Sequence, residues 1–146
     1  MENKVDTIVF TNGRFDGLHA GHVFLFEECK KMGGLNSEVI VGLNSDFSIK
    51  NITGEKPKVN QDHRYRILSA IKYIDKIYIF NDDTPLSLIE RIRPHILVKG
   101  NDYAEKAIVG ADFVKSYRGR VILVPCLKVH GYKISSNCQD ASFCKI

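Results

Sequence analysis

Two histidines, His19 and His22, with Ala20 and Gly21 between them, are the residues of this 146-residue chain best placed to do chemistry. They close the run Gly13-Arg14-Phe15-Asp16-Gly17-Leu18-His19-Ala20-Gly21-His22. Residues three apart on a helix share a face, so both imidazoles can point at one oxyanion. The run leaves an apolar strand candidate, Thr7–Thr11, through a glycine-bearing turn and enters a helical pattern. Backbone N–H groups at a helix start add partial positive charge. Strand, turn and helix N-terminus together make a phosphate site in an α/β protein, and the polarity of the loop favours a nucleotide.

Arg64 is the second residue with chemistry in it. In the helix expected from Gln61, positions 64, 67, 68 and 71 fall on one stripe, and three of them are Ile67, Leu68 and Ile71. A guanidinium at the end of an apolar stripe must find an anion. Two partners fit: a phosphate, or an aspartate in a structural salt bridge.

These residues need a frame, and the chain supplies one. Short apolar runs at Thr7–Thr11, Glu38–Leu43, Lys76–Phe80, His95–Lys99 and Arg120–Pro125 predict five strands. Most are continuous in Val, Ile and Leu, as parallel strands covered on both faces should be. Helical patterns lie between them at His19–Met32, Gln61–Ile74, Pro85–Ile92 and Ala107–Tyr117. Gly33-Gly34 ends the first helix, while Thr84 and Pro85 read as N-cap and first residue of the third. This alternation predicts an α/β fold, a doubly wound five-stranded parallel sheet with helices on both faces. Ligands in such sheets bind beyond the carboxyl ends of the strands. After the second strand come Asn44-Ser45-Asp46 and Lys50; after the fourth, Lys99-Gly100-Asn101-Asp102-Tyr103; after the fifth, His130 and Ser135-Ser136. Order alone therefore gathers the polar residues at one edge.

Composition narrows the classes. With 44% hydrophobic residues and charges spread evenly, the chain reads as a globular protein. Its net charge of +4 suits small anionic substrates, but the basic residues are scattered, so no nucleic-acid partner is expected. Met1-Glu2-Asn3-Lys4 carries no apolar signal core, and no apolar run reaches membrane-spanning length. The expected address is the cytoplasm, with no membrane partner. The four cysteines form no Cys-x-x-Cys pair, which argues against a zinc site or disulfide framework. Cys29 falls on a helix face with Leu25 and Phe26 and reads as a buried thiol; Cys138 and Cys144 leave a disulfide or intersubunit contact open.

His19-Ala20-Gly21-His22, with the residues from Gly13, resembles the signature of the His-x-Gly-His nucleotidyltransferases in their cytidylyltransferase-like branch. That branch holds glycerol-3-phosphate cytidylyltransferase and the adenylyltransferase domain that makes ADP-heptose. Asn44-Ser45-Asp46 with Lys50, Gly54-Glu55 and Pro57, and Leu97-Val98-Lys99-Gly100-Asn101-Asp102-Tyr103, resemble the sugar-phosphate adenylyltransferase more. His63-Arg64 with Ile67-Leu68, and Tyr73-Ile74-Asp75, fit both. The resemblance implies a single Rossmann-like domain across residues 1–146, with an irregular tail from about residue 137.

It also implies a reaction, in which a phosphate oxygen of a second substrate attacks the α-phosphorus of a nucleoside triphosphate and pyrophosphate leaves. Such a transfer asks the protein for alignment and for neutralisation of growing negative charge. The catalytic candidates are His19 and His22, as hydrogen-bond donors to phosphate oxygens, with Arg64 and with Lys50 on a flexible loop from Lys50 to Asn60. Candidate nucleotide contacts are Thr11, Asn12, Gly13, Phe15, Asp16 and Gly21 around the first loop. Lys99, Gly100 and Asp102 join them from the fourth strand, and Ser135 and Ser136 from the last motif. Asp16 has a second reading, tying down its loop through backbone hydrogen bonds. Asn44, Asp46 and Lys133 are candidate contacts to the second substrate. Magnesium is expected to arrive with the triphosphate, with no dedicated protein ligand.

The C-terminal motif, His130 to Asn137, departs from the family pattern. Ser135 and Ser136 fit the hydroxyl and N-cap role, but Lys133 stands where the glycerol enzyme has glycine. No arginine precedes the motif, so Lys133 or His130 would substitute for its phosphate contact. The motif spacing favours ATP with a sugar 1-phosphate; CTP with glycerol phosphate or another small polyol phosphate is the alternative. A non-catalytic nucleotide-binding module is the alternative of another class, and homodimerisation is the habit of the family.

Overall fold

A computed structural model describes residues 5–100 and 108–125, together with the backbones of residues 127–129 and 132–134. Strand β1 (Thr7–Gly13) leads into helix α1 (Ala20–Gly33), followed by β2 (Ser37–Asn44), α2 (Asp46–Thr53) and α3 (Gln61–Ser69). Then come β3 (Lys76–Phe80), α4 (Leu86–Ile92), β4 (Ile96–Gly100), α5 (Ala111–Ser116) and β5 (Arg120–Val124). The five strands form one parallel sheet in the order β3-β2-β1-β4-β5. The order reverses direction between β1 and β4, which is where an open α/β sheet opens a crevice for ligands. This is the doubly wound, Rossmann-like architecture that the alternating pattern predicts.

Helices cover both faces. Leu25, Phe26 and Cys29 of α1 and Leu68 of α3 pack with Val9, Val39, Val41 and Val98 in one core. Leu88 and Ile89 of α4 and Ala111 and Val114 of α5 pack with Phe10, Ile40 and Leu97 in the other. Each large side chain withdrawn fully from water contributes roughly 1.5–3 kcal/mol. Cys29 is fully buried and free, as its helix position predicts, and burial holds its thiol well above the usual range. Helix α1 stops at Gly34, whose φ of 81° only glycine adopts at no cost.

Four local expectations are corrected. Residues 46–53, expected as strand exit and flexible loop, form α2, capped by the Ser45 hydroxyl and ended by Gly54 in the left-handed region. Helix α3 ends at Ser69 rather than Ile74; a turn through 70–74 delivers Asp75, whose carboxylate accepts from Val39 N–H and Lys30 Nζ, both at 2.8 Å. On that shorter helix Ile67 is exposed, so the apolar stripe is Leu68 with Ile71 beyond the helix end. The N-cap of α4 is Pro85, with the Thr84 hydroxyl accepting from Leu86 N–H at 3.4 Å. The edge strands are also barer than the central ones: β3 and β5 are partly exposed, whereas β2 and β4 are almost wholly buried. Strands β6 (Leu127–Val129) and β7 (Tyr132–Ile134), which no sequence pattern announces, pair antiparallel. Segment 101–107 and the tail with Cys138 and Cys144 lie outside the described residues.

Candidate active site

The loop between β1 and α1 is built around buried Phe15. Its φ of 48° lies in the left-handed region, which costs a bulky residue energy. Packing offsets that strain: the ring is 2% exposed and sits edge-on to His22 at 5.2 Å and tilted against Phe26 at 5.3 Å. Gly13 leaves room for the same ring, since a Cβ there would stand 3.0 Å from Phe15 Cζ.

His19 is the N-cap of α1 and His22 its third residue. Gly21 N–H donates to His19 Nδ1 at 2.9 Å, and His19 N–H donates to His22 Nδ1 at 3.3 Å. These reciprocal bonds form a capping box made of two imidazoles. They also fix chemistry. A ring nitrogen that accepts a backbone N–H carries no proton, so each neutral ring carries its proton on Nε2. The rings stack at 3.9 Å between centroids, and burial pushes His19 down to about 4. His19 is therefore neutral at neutral pH, and the helix N-terminus adds partial positive charge beside the pair.

Arg64 is 1% exposed and braces the loops from beneath. Nε donates to Val59 O at 2.8 Å, NH1 to Arg14 O at 2.8 Å and Asn44 O at 2.7 Å, and NH2 to Asp46 Oδ1 at 2.7 Å. Of the two partners the sequence left open, the structure shows the carboxylate. Asp46, at the first position of α2, meets that guanidinium while its own N–H donates to Gln61 Oε1 at 2.9 Å. Asp16 follows its second reading: Oδ2 accepts from Lys58 N–H and Oδ1 from Val59 N–H, both at 2.8 Å. One carboxylate thus fastens the chain before α3 to the histidine loop.

Lys50 lies exposed on α2 instead of on a flexible loop. It lines a recess of about 380 Å³ with Asp46, Phe47, Pro57, Asn60 and Lys56, a second cation the sequence reading did not single out. Thr11 turns its hydroxyl to Val98 O at 2.9 Å, joining β1 to β4 across the switch point. Gly21 is buried in the capping box, and Gly100 is buried at the end of β4.

Asn12, Asn44 and Lys99 meet on the opposite side of the sheet, in a cleft of about 210 Å³. Lys99 is 6% exposed, and its Nζ lies 3.5 Å from Asn12 O. Asn44 donates from Nδ2 to Ser48 Oγ at 2.9 Å. Arg14, Ile52, Asp83, Thr84, Pro85, Ile108 and Val109 complete the wall. No periodicity announces them, because they come from four separate segments that only the fold assembles. Asp102, Ser135, Ser136, His130 and the side chain of Lys133 lie outside the described residues. Among the described residues no three His, Cys, Asp or Glu side chains cluster as a metal site.

Known proteins carry the same plan. A family model described as cytidylyltransferase-like matches residues 10–137, from the middle of β1 through every element of the sheet. The chain belongs to the cytidylyltransferase-like family. It is 49% identical over 118 residues to the bifunctional protein HldE of Geobacter sulfurreducens, and 47% over 119 residues to that of Syntrophotalea carbinolica. These matches cover 80% and 81% of this chain, but the chain spans only about a quarter, 24%, of either relative. The fold alone is shared with a lipopolysaccharide core biosynthesis protein from Thermoplasma volcanium. There the TM-score is 0.65 at 24% identity, covering 84% of this chain and 98% of that one. As a cytidylyltransferase-like chain this is a nucleotidyltransferase domain, and the paired imidazoles at the start of α1 lie within the matched region. No helix among the described residues is long and apolar enough to cross a membrane.

Proposed function

We propose that the chain joins the nucleoside monophosphate of a triphosphate, ATP by preference, to a sugar 1-phosphate of the heptose type. A phosphate oxygen of the sugar phosphate bonds to the α-phosphorus as the bridging bond to the β-phosphate breaks, and pyrophosphate leaves with the electron pair. The observation that carries this reading is the His19–His22 pair, whose Nδ1 atoms are both engaged by backbone N–H groups. That engagement sets both Nε2–H groups as donors ahead of the reaction, so no reorganisation is needed as charge grows on the α-phosphate oxygens. Magnesium arrives bound to the triphosphate as part of the substrate. Lys50 and Lys56, which line one recess, contribute charge toward the departing phosphates. Similarity to HldE proteins favours the sugar phosphate over glycerol phosphate with CTP. The proposal includes the Asp102, Ser135, Ser136 and Lys133 contacts, a cytoplasmic address and a homodimer, which light scattering checks by mass.

The test is pyrophosphate release by the purified chain with magnesium. ATP, CTP, GTP and UTP are crossed with heptose 1-phosphate and glycerol 3-phosphate. Release confined to one pairing establishes the reaction and names its substrates. CTP with glycerol 3-phosphate would transfer the reading to the polyol enzyme. Nucleotide binding by calorimetry without turnover on any pairing would favour a non-catalytic module, and absence of nucleotide binding would refute the proposal.

A further inference from the structure

The histidine pair accounts for one side of the switch point, and the cleft on the other side has its own chemistry. Along β1, Phe10 and Asn12 share the face that α4 and α5 cover. Gly42 on β2 gives them room. A Cβ there would stand 2.8 Å from Phe10 Cζ, 3.1 Å from Leu88 Cδ2 and 3.3 Å from Asn12 Cβ. Asn12 is 5% exposed, yet its Oδ1 is fully buried and accepts no hydrogen bond among the described residues. A buried carbonyl left in that state is costly, and native chains keep few of them. Asn12 itself is one of the residues that line a cleft of about 210 Å³.

An acceptor-only atom on a residue of the cleft wall asks for a donor on the ligand. The same cleft is lined by two cations, Lys99 and Arg14, and one acid, Asp83, so the balance of charge in its wall favours an anionic ligand. A donor and an anion within one small cleft describe a phosphate ester with hydroxyls on neighbouring carbons. They do not describe a nucleobase, whose amino group lies a ribose away from its phosphates.

We propose that Asn12 reads the second substrate: its Oδ1 accepts a hydrogen bond from a hydroxyl of a polyhydroxylated phosphate ester whose phosphate lies toward Lys99 and Arg14. This rests on the nucleotidyl-transfer reading and assigns the second substrate to the α4–α5 side of the sheet. Inorganic phosphate offers the anion without the neighbouring hydroxyl, so it isolates the contribution of Asn12.

Calorimetry on the full chain tests it with heptose 1-phosphate, glycerol 3-phosphate, inorganic phosphate and magnesium ATP as probes. The wild type should bind heptose 1-phosphate at least about tenfold tighter than inorganic phosphate. Asn12→Ala should lose roughly 10- to 100-fold in affinity for heptose 1-phosphate while inorganic phosphate and ATP stay within about twofold. Because the substitution removes a buried unbonded acceptor, the melting temperature should hold or rise. Equal binding of heptose 1-phosphate and inorganic phosphate by the wild type, or no binding of either ester, would overturn the assignment. So would an Asn12→Ala chain that loses ATP, or one that melts much earlier and loses every ligand. Wild-type pyrophosphate release in the same preparation separates the two failures: if it persists, only the role of Asn12 falls.

Discussion

The two sides of the β1–β4 switch point are built on opposite plans. On the α1 side both histidine Nδ1 atoms, both oxygens of Asp16 and four N–H groups of Arg64 hold bonds within the chain. On the α4–α5 side the buried Oδ1 of Asn12, a residue of the cleft lining, accepts no hydrogen bond among the described residues. A side that must align a triphosphate gains from being set in advance, because its groups need not reorganise as charge develops. A side that must tell one phosphate ester from another gains from a hydrogen bond that only the right ligand completes.

The comparison breaks most visibly at the histidines. His19→Ala or His22→Ala should lower turnover about 10²–10³-fold in a pyrophosphate-release assay, with nucleotide affinity far less affected. A comparable loss in binding instead of rate would move the pair from transition state to ground state.

Arg64→Ala should act on stability first. It strips a buried brace from three carbonyls and from Asp46, at about 3 kcal/mol, and thermal melting should fall by roughly 10 °C. Arg64→Lys should recover little, because one ammonium cannot span four acceptors in the same geometry. A variant that melts like the wild type but turns over slowly would instead put the guanidinium on the substrate.

Asp16→Ala should cost about 2 kcal/mol and speed hydrogen exchange at the Lys58 and Val59 amides, which lose their acceptors. Unchanged protection there would mean the loop before α3 is held by other contacts.

The smallest effect is on pH. His19 is pushed down to about 4 in the fold, against an ordinary value near 6.5. Between those values the unfolded chain binds the extra proton and the folded chain does not, so stability should be flat above about pH 6.5 and fall progressively toward pH 4. Denaturant titrations in wild type and His19→Gln should diverge only in that window.

How much the sequence reveals differs between the two sides for a physical reason. The histidine loop is local: strand, turn, cap and helix face are encoded within about sixteen residues, and their spacing alone predicts two imidazoles at a helix start. Arg64 is half legible. The apolar stripe around it demands an anion, but Asp46 comes from another helix, 18 residues earlier. Helix α2 itself was within reach, since Ser45, Asp46 and Gly54 supply cap, acidic first turn and stop. Its eight residues hide the period behind Asn44 and the glycine-bearing segment that follows. The cleft is the least legible part, because Arg14, Ile52, Asp83, Thr84, Ile108 and Val109 share no pattern and are brought together only by strand order.

The central claim is that His19 and His22 stand ready as two neutral Nε2–H donors for a phosphate. Nitrogen-15 NMR of the imidazoles, before and after saturation with magnesium ATP at pH 7, tests it most directly. The account predicts that both rings carry the proton on Nε2, that His19 stays neutral, and that both Nε2–H signals shift when the nucleotide binds. Doubly protonated rings at pH 7, or Nε2–H signals that ignore saturating nucleotide, would contradict it.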